Sequence, residues 1–102
     1  MAKLSDEQIT ISLSKIPGWT LENQNRTIKR NIHFASFPEA MQFVHQVGEY
    51  AEAANHHPDI DIRYRDVTLR LTTHDSNGLT GKDFALAQKI NQACPTKVDM
   101  LD

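Results

Sequence analysis

Two short segments of strict alternation limit the folds open to this chain more than any other feature. Asp59-Ile60-Asp61-Ile62-Arg63-Tyr64 and Val67-Thr68-Leu69-Arg70-Leu71-Thr72 each alternate polar and apolar residues, the period of a strand with one buried face. With Arg65-Asp66 as a two-residue loop they form a hairpin in which Tyr64 faces Val67, Ile62 faces Leu69 and Ile60 faces Leu71. One face is then wholly apolar, and Asp61 lies opposite Arg70 on the other. Continued outward, this register sets His57 opposite His74, where β-carbons are roughly 4.5–5.5 Å apart. It therefore predicts that two distant imidazoles serve one small molecule, on the face opposite Ile60 and Leu71.

The rest of the chain supplies helices and a second hairpin. Ser5 with Gln8 forms a capping box and Leu4 with Ile9 a hydrophobic staple. The helix they start carries Ile9, Leu13 and Ile16 on one stripe, and Pro17-Gly18 ends it. Residues 19–22 and 26–34 predict a hairpin turning around Gln24-Asn25, with Leu21 opposite Ile28. Ser36-Phe37-Pro38-Glu39 is a second capping box, with a proline in the first turn where its missing N–H does no harm. Phe37, Met41, Val44, Val47 and Ala51, widened by Ala40 and Phe43, predict a long inward stripe. This helix is expected to fray near Asn55, since Pro58 restricts His57 to extended geometry. After the polar loop 73–78, Thr80 caps a third helix with Asp83 in its first turn. Leu86, Ala87, Ile90 and Cys94 face inward and Pro95 closes it. Asp83 falls on the same inward line, between Leu79 and Leu86. The predicted order α-β-β-α-β-β-α gives one antiparallel sheet with helices packed on one face.

Length and charge narrow the class. The 102 residues make a single domain, 1–102, with one modest core. A net charge of −2 gives no general attraction to nucleic acid or to an anionic membrane. No transmembrane segment occurs, and Met1-Ala2-Lys3-Leu4 is followed by polar residues, not by the apolar run of a signal peptide. Cys94 has no cysteine partner in the chain, which suits a reducing compartment. A cytoplasmic location is expected.

The chemistry gathers in residues 52–74. A helix terminus by itself accounts for His56-His57, because imidazoles stabilise the dipole and bond the last carbonyls. The hairpin register adds His74 to the same place and favours a site. Glu52 and His56, four apart, share a helix face if the last turn persists. Glu52, His56, His57, His74 and Asp83 include ligand types for zinc or iron. Adjacent histidines seldom aim at one ion, however, so no metal is expected. His33 and His45 read as surface residues and Trp19 as core. With no nucleophile motif present, proton transfer by imidazole is the remaining chemistry.

Glu52-x-x-x-His56-His57-Pro58, then Tyr64, His74 and Asp83 at fixed spacings, resembles the signature of the pterin-4a-carbinolamine dehydratases. The resemblance extends over nearly the whole chain, through Pro17-Gly18-Trp19, Thr73-His74 and Gly78-Leu79. It implies an α+β fold with a four-stranded antiparallel sheet and three helices. The implied enzyme removes water from 4a-hydroxytetrahydropterin to give quinonoid dihydropterin, in tetrahydrobiopterin recycling. His56, His57 and His74 would be its catalytic histidines, supported by Glu52 and Asp83, with Glu52 orienting His56. The resemblance also implies no metal or organic cofactor, a pterin substrate, and a homodimer or homotetramer. The alternative is a protein-binding module, since animal relatives of this family also act as a transcriptional partner that binds another protein and not DNA.

Overall fold

A computed structural model of the chain describes residues 2–95, so both ends of the expected 1–102 domain lie outside the described residues. The elements are α1 (Asp6–Leu13), β1 (Thr20–Glu22), β2 (Thr27–His33), α2 (Phe37–Ala54), β3 (Asp59–Arg63), β4 (Asp66–Leu71), a 3-10 turn (His74–Ser76) and α3 (Gly81–Ala93). This is the expected α+β order: three helices and one four-stranded antiparallel sheet, arranged β1-β2-β4-β3. Among the described residues no helix is long and apolar enough to cross a membrane.

Side-chain caps set the helix starts by satisfying amides that the first turn leaves unbonded. Ser5 Oγ accepts from Gln8 N at 3.2 Å and Gln8 Oε1 accepts from Ser5 N at 2.9 Å, the full box. At α2 the Ser36 hydroxyl accepts from Glu39 N at 3.3 Å, one half of the expected box. The same helix stops on Asn55, whose φ of 50° is left-handed, and His56 N–H turns back to Ala51 O at 3.1 Å. Asparagine takes up this geometry at modest cost, which makes it a natural helix stop. Cys94 is extended ahead of Pro95, as a residue before proline prefers, and α3 ends there.

Ile28, Ile32, Val67, Leu69 and Leu71 form the inward face of the sheet, each nearly or wholly buried. Ala40, Phe43, Val47 and Ala51 of α2 join the same core, as do Phe84, Leu86, Ala87 and Ile90 of α3. The α2 stripe is narrower than expected, because Phe37 and Met41 remain exposed at 45% and 41%. Met41 lies about 100° around the helix from Ala40 and farther still from Phe43 and Val47, on the margin of the stripe that these residues centre. Arg30, between Ile28 and Ile32, also points inward. Its guanidinium donates to Pro17 O at 2.9 Å and to Asn91 Oδ1 at 2.7 Å, tying β2 to the α1–β1 connection and to α3. It passes so close to Gly18 that a β-carbon there would sit 2.7 Å from Arg30 Cζ; Gly18 also has a φ of 92°.

The first hairpin has the expected register, with Leu21 opposite Ile28. The second differs by two residues. Ile60 faces Leu69, Ile62 faces Val67 and Asp59 faces Arg70, so the turn is Tyr64-Arg65 and not Arg65-Asp66. Asp66 belongs to β4 because β2 claims it too, opposite His33. Arg65 O accepts from Phe34 N at 2.9 Å, which fastens the turn to the start of the β2–α2 connection. A slip of two keeps every side chain on its face, so alternation alone cannot distinguish the two pairings. Extended past its last pair, the observed register sets His57 against Thr72 and not His74.

The central position of β4 makes it the most sensitive strand. Leu69, fully buried and paired on both sides, is expected to cost about 2–5 kcal/mol when changed to Ala. Urea denaturation of Leu69→Ala beside the unmodified protein measures this, and a loss below 1 kcal/mol would contradict the assigned core.

Candidate active site

The five residues singled out in the sequence come from three places. Glu52 lies in the last turn of α2, with His56 and His57 just beyond its cap. His74 opens the 3-10 turn after β4, and Asp83 lies in the first turn of α3. The three histidines line one cleft of about 370 Å³, together with Thr72, Thr73 and Lys82, and Asp83 and Glu52 join it through their bonds to His56 and His57. The three histidines thus share one cleft, although the strand pairing that predicted it is not the pairing found. The left-handed Asn55 turns the helix end so that His56 and His57 reach the cleft. Backbone bonds between Thr73 and Gly78, at 3.1 and 3.4 Å, close the loop that carries His74.

Each imidazole has a different setting. His56 Nε2 lies 2.6 Å from Asp83 Oδ1; its side chain is 12% exposed and that of Asp83 is fully buried. A carboxylate has no proton to give, so His56 donates through Nε2, and Nδ1 is the ring nitrogen that Asp83 does not engage. His57 Nε2 lies 2.5 Å from Glu52 Oε2, and both side chains are more than half exposed. The expected Glu52–His56 pairing is therefore replaced. The α-helix ends at Ala54, breaking the four-residue spacing, and His57 comes back over Glu52 instead. Water screens such an exposed pair, and it contributes little to stability. The ring of His74 makes no hydrogen bond or ion pair among the described residues, leaving both nitrogens open to a ligand.

Asp83 is held from its other side as well. Its Oδ2 accepts from Thr80 N at 2.9 Å and from Thr73 Oγ1 at 2.8 Å. Thr80 Oγ1 accepts from Lys82 N at 3.3 Å and meets Thr73 Oγ1 at 2.9 Å. With Thr73 giving its proton to Asp83, Thr80 must donate to Thr73, and the chain of donors runs one way into the carboxylate. The cap of α3 and the support of His56 are thus one arrangement. Thr73 and Thr80 were not singled out as site residues from the sequence. A signal existed, because Leu69, Leu71 and Thr73 continue the inward period, and a buried hydroxyl there needs a partner.

Elsewhere, His33 pairs with Asp66 at 2.8 Å and His45 with Glu49 at 3.1 Å on the surface, while Trp19 is buried and donates to Asn91 Oδ1 at 2.8 Å. Among the described residues no group of three or more His, Cys, Asp or Glu side chains could hold a metal ion.

Replacing Thr73 tests the donor chain. Thr73→Val removes one bond to a buried carboxylate and leaves Thr80 without its acceptor, at an expected cost of about 1–3 kcal/mol in thermal or urea unfolding. Thr73→Ser keeps the hydroxyl and should retain most of that stability. Equal losses in the two variants would assign the effect to packing.

The sequence model of the family described as "Pterin 4 alpha carbinolamine dehydratase" matches residues 2–93. A protein of Chloroflexus aggregans named "Putative pterin-4-alpha-carbinolamine dehydratase" is 54% identical over 92 residues, covering 90% of this chain and 97% of that protein. One of the same name from Nocardia farcinica is 49% identical over 89 residues, 87% of this chain and 92% of its own. The crystal structure of a transcriptional coactivator/pterin dehydratase from Brucella melitensis superimposes with a TM-score of 0.87 at 31% identity, covering 91% of this chain and 99% of that one. A pterin dehydratase-like protein described as a RuBisCO assembly factor in the alpha-carboxysome shares the fold, with a TM-score of 0.67 at 16% identity, covering 78% and 92%. With a family match spanning almost all the described residues and relatives near half identity, the chain belongs to the pterin-4-alpha-carbinolamine dehydratase family.

Proposed function

We propose that the protein dehydrates a 4a-hydroxytetrahydropterin to the quinonoid dihydropterin by histidine acid–base catalysis, in the recycling of tetrahydrobiopterin. The observation that carries this reading is the single cleft with three imidazoles, one backed by a buried carboxylate and one without a protein partner. In the reaction the C4a–O bond breaks and the hydroxyl leaves as water with a proton from an acid. The N5–H proton passes to a base, and the nitrogen electron pair closes the C4a=N5 bond. One proton enters and one leaves, so the cleft needs an acid and a base but no redox partner. His56, His57 and His74 are the catalytic candidates. Asp83 fixes the tautomer and orientation of His56, and Glu52 steadies His57 from a more exposed position.

A stopped-flow assay of carbinolamine dehydration tests the reading. General acid–base groups typically contribute about 10²–10⁴-fold, so His56→Ala or His74→Ala should lose a factor in that range. His57→Ala combined with His74→Ala should cost less than the sum of the two single changes, because groups acting as a unit are non-additive. Asp83→Asn should cost more than Glu52→Gln, since an amide would turn a donor toward groups that already donate. Strict additivity would show that His57 and His74 do not act as a unit, and near-full activity in folded single variants would remove these histidines from the chemistry.

The surface supports an association as well. β3 is an edge strand with an open row of backbone groups, and from it Ile60 and Ile62 project on the helix side at 39% and 37% exposure. Phe37, Met41 and Tyr64 are exposed too. Scattered apolar residues are ordinary, but an edge strand with two of them favours burial against another chain. We read this as self-association into a dimer or tetramer. A partner-binding role instead would draw on the same surface. Light scattering at micromolar concentration should give a multiple of 11.6 kDa, and Ile60→Glu with Ile62→Glu should lower it. A monomer in the unmodified protein would refute the oligomer.

A further inference from the structure

A groove of about 360 Å³ lies in the seam between α2 and α3, separate from the histidine cleft but sharing His56 and Lys82 with it. The α2 wall is Tyr50, Ala53 and Ala54, spaced as one helix face. The α3 wall is Lys82, Ala85, Leu86 and Lys89, one face over two turns. His56 meets Asp83 at one end, and at the other Lys89 Nζ lies 5.6 Å from the centroid of the Tyr50 ring. Between them the exposed methyl groups of Ala53, Ala54 and Ala85 leave a flat apolar floor. The charge on this groove is of one sign. No carboxylate lines it, although the chain has 13 acidic residues against 11 basic. Lys82 and Lys89 stand about 10 Å apart along α3, seven residues at 1.5 Å each. Among the described residues neither ammonium has an acidic partner, and the Tyr50 hydroxyl makes no hydrogen bond.

We propose that this groove is a second small-molecule site, and that it takes a planar apolar carboxylic acid. Its size and its lining, apolar with a few polar groups at the rim, are those of a small-ligand site. The alanine floor suits a flat ring. The Lys89 ammonium and the Tyr50 hydroxyl are two donors at one end, and a carboxylate accepts from both. An unpaired cation repels a cationic ligand and gains nothing from a neutral one. A phosphate group favours the fixed fork of an arginine, which the groove lacks. The inference stands apart from the dehydratase reading, because the acid carries no pterin ring and occupies a different space.

Titration with 2-naphthoate and with 2-naphthamide, followed by the fluorescence of the naphthalene ring, tests the site on one flat body with and without its charge. The acid is expected to bind about tenfold more tightly than the amide, the effect of one charge-assisted hydrogen bond. Lys89→Met keeps an apolar stem and removes the charge, so it should bring the acid down to the affinity of the amide. The amide should bind that variant unchanged, which also shows that it is folded. Ala85→Glu sets a bulky like charge on the floor and should abolish binding of the acid, with the urea unfolding midpoint retained. His74→Ala alters the histidine cleft alone and should leave the affinity for the acid as it was. Equal affinities for acid and amide, or no binding of the acid, would overturn the site. So would full affinity in Ala85→Glu, parallel loss of both ligands in Lys89→Met, or loss of the acid in His74→Ala, which would move it to the histidine cleft.

Discussion

The carboxylate of Asp83 is the interaction on which the rest of the site depends. A buried charge without partners costs several kcal/mol, so a fully buried aspartate must be met on all sides or the fold would discard it. Here the partners come from three segments: His56 just past α2, Thr73 at the end of β4, and the Thr80 amide at the start of α3. None of these is near another in sequence except Thr80. One electrostatic requirement therefore fixes the relative placement of two helix ends and a strand end. The imidazole at the end of that network is the one whose orientation the protein specifies most tightly.

The other two imidazoles are held more loosely. Left-handed asparagines stand beside both histidine segments, Asn55 immediately before His56 and Asn77 at the close of the turn that begins with His74. Each turns the backbone sharply with a side chain that tolerates positive φ. The N-terminal segment braces the same end of the molecule, since Leu4 N–H donates to Leu79 O at 2.8 Å, one residue before the α3 cap. The result is a graded site, with one ring fixed by a buried partner, one paired in solvent, and one open. Proton exchange with a substrate calls for such a mixture: a rigid group to set geometry, and free nitrogens to engage it.

Much of this was legible in the residues. Capping boxes, the Pro58 stop and the alternation of β3 and β4 placed every element in order, because caps and periods act locally. Asp83 stood out as a carboxylate on an apolar helical line, and it is buried. The partners of the carboxylates were not legible. Glu52 and His56 have the spacing of a helical pair, yet the helix stops between them, and each found a different companion. Thr73 likewise took its role from a helix cap seven residues later and a buried carboxylate ten residues later.

The sequence by itself determined the apolar faces of the strands, where the helices begin, where the second and third end, and that three histidines fall near the ends of paired strands; the first helix stops at Leu13, short of the expected Pro17-Gly18. These follow from side-chain periodicity and from backbone preferences of Ser, Thr, Asn and Pro, which need no distant partner. Only the tertiary structure decided the register of the second hairpin and the pairing of the site. A two-residue slip is invisible to a period of two, and what selected between the alternatives was β2, which binds β4 from the other side and draws Asp66 into the sheet. Tertiary packing also decided which histidine meets the buried carboxylate, since burial comes from elements far apart in the chain and its cost is what forces the match.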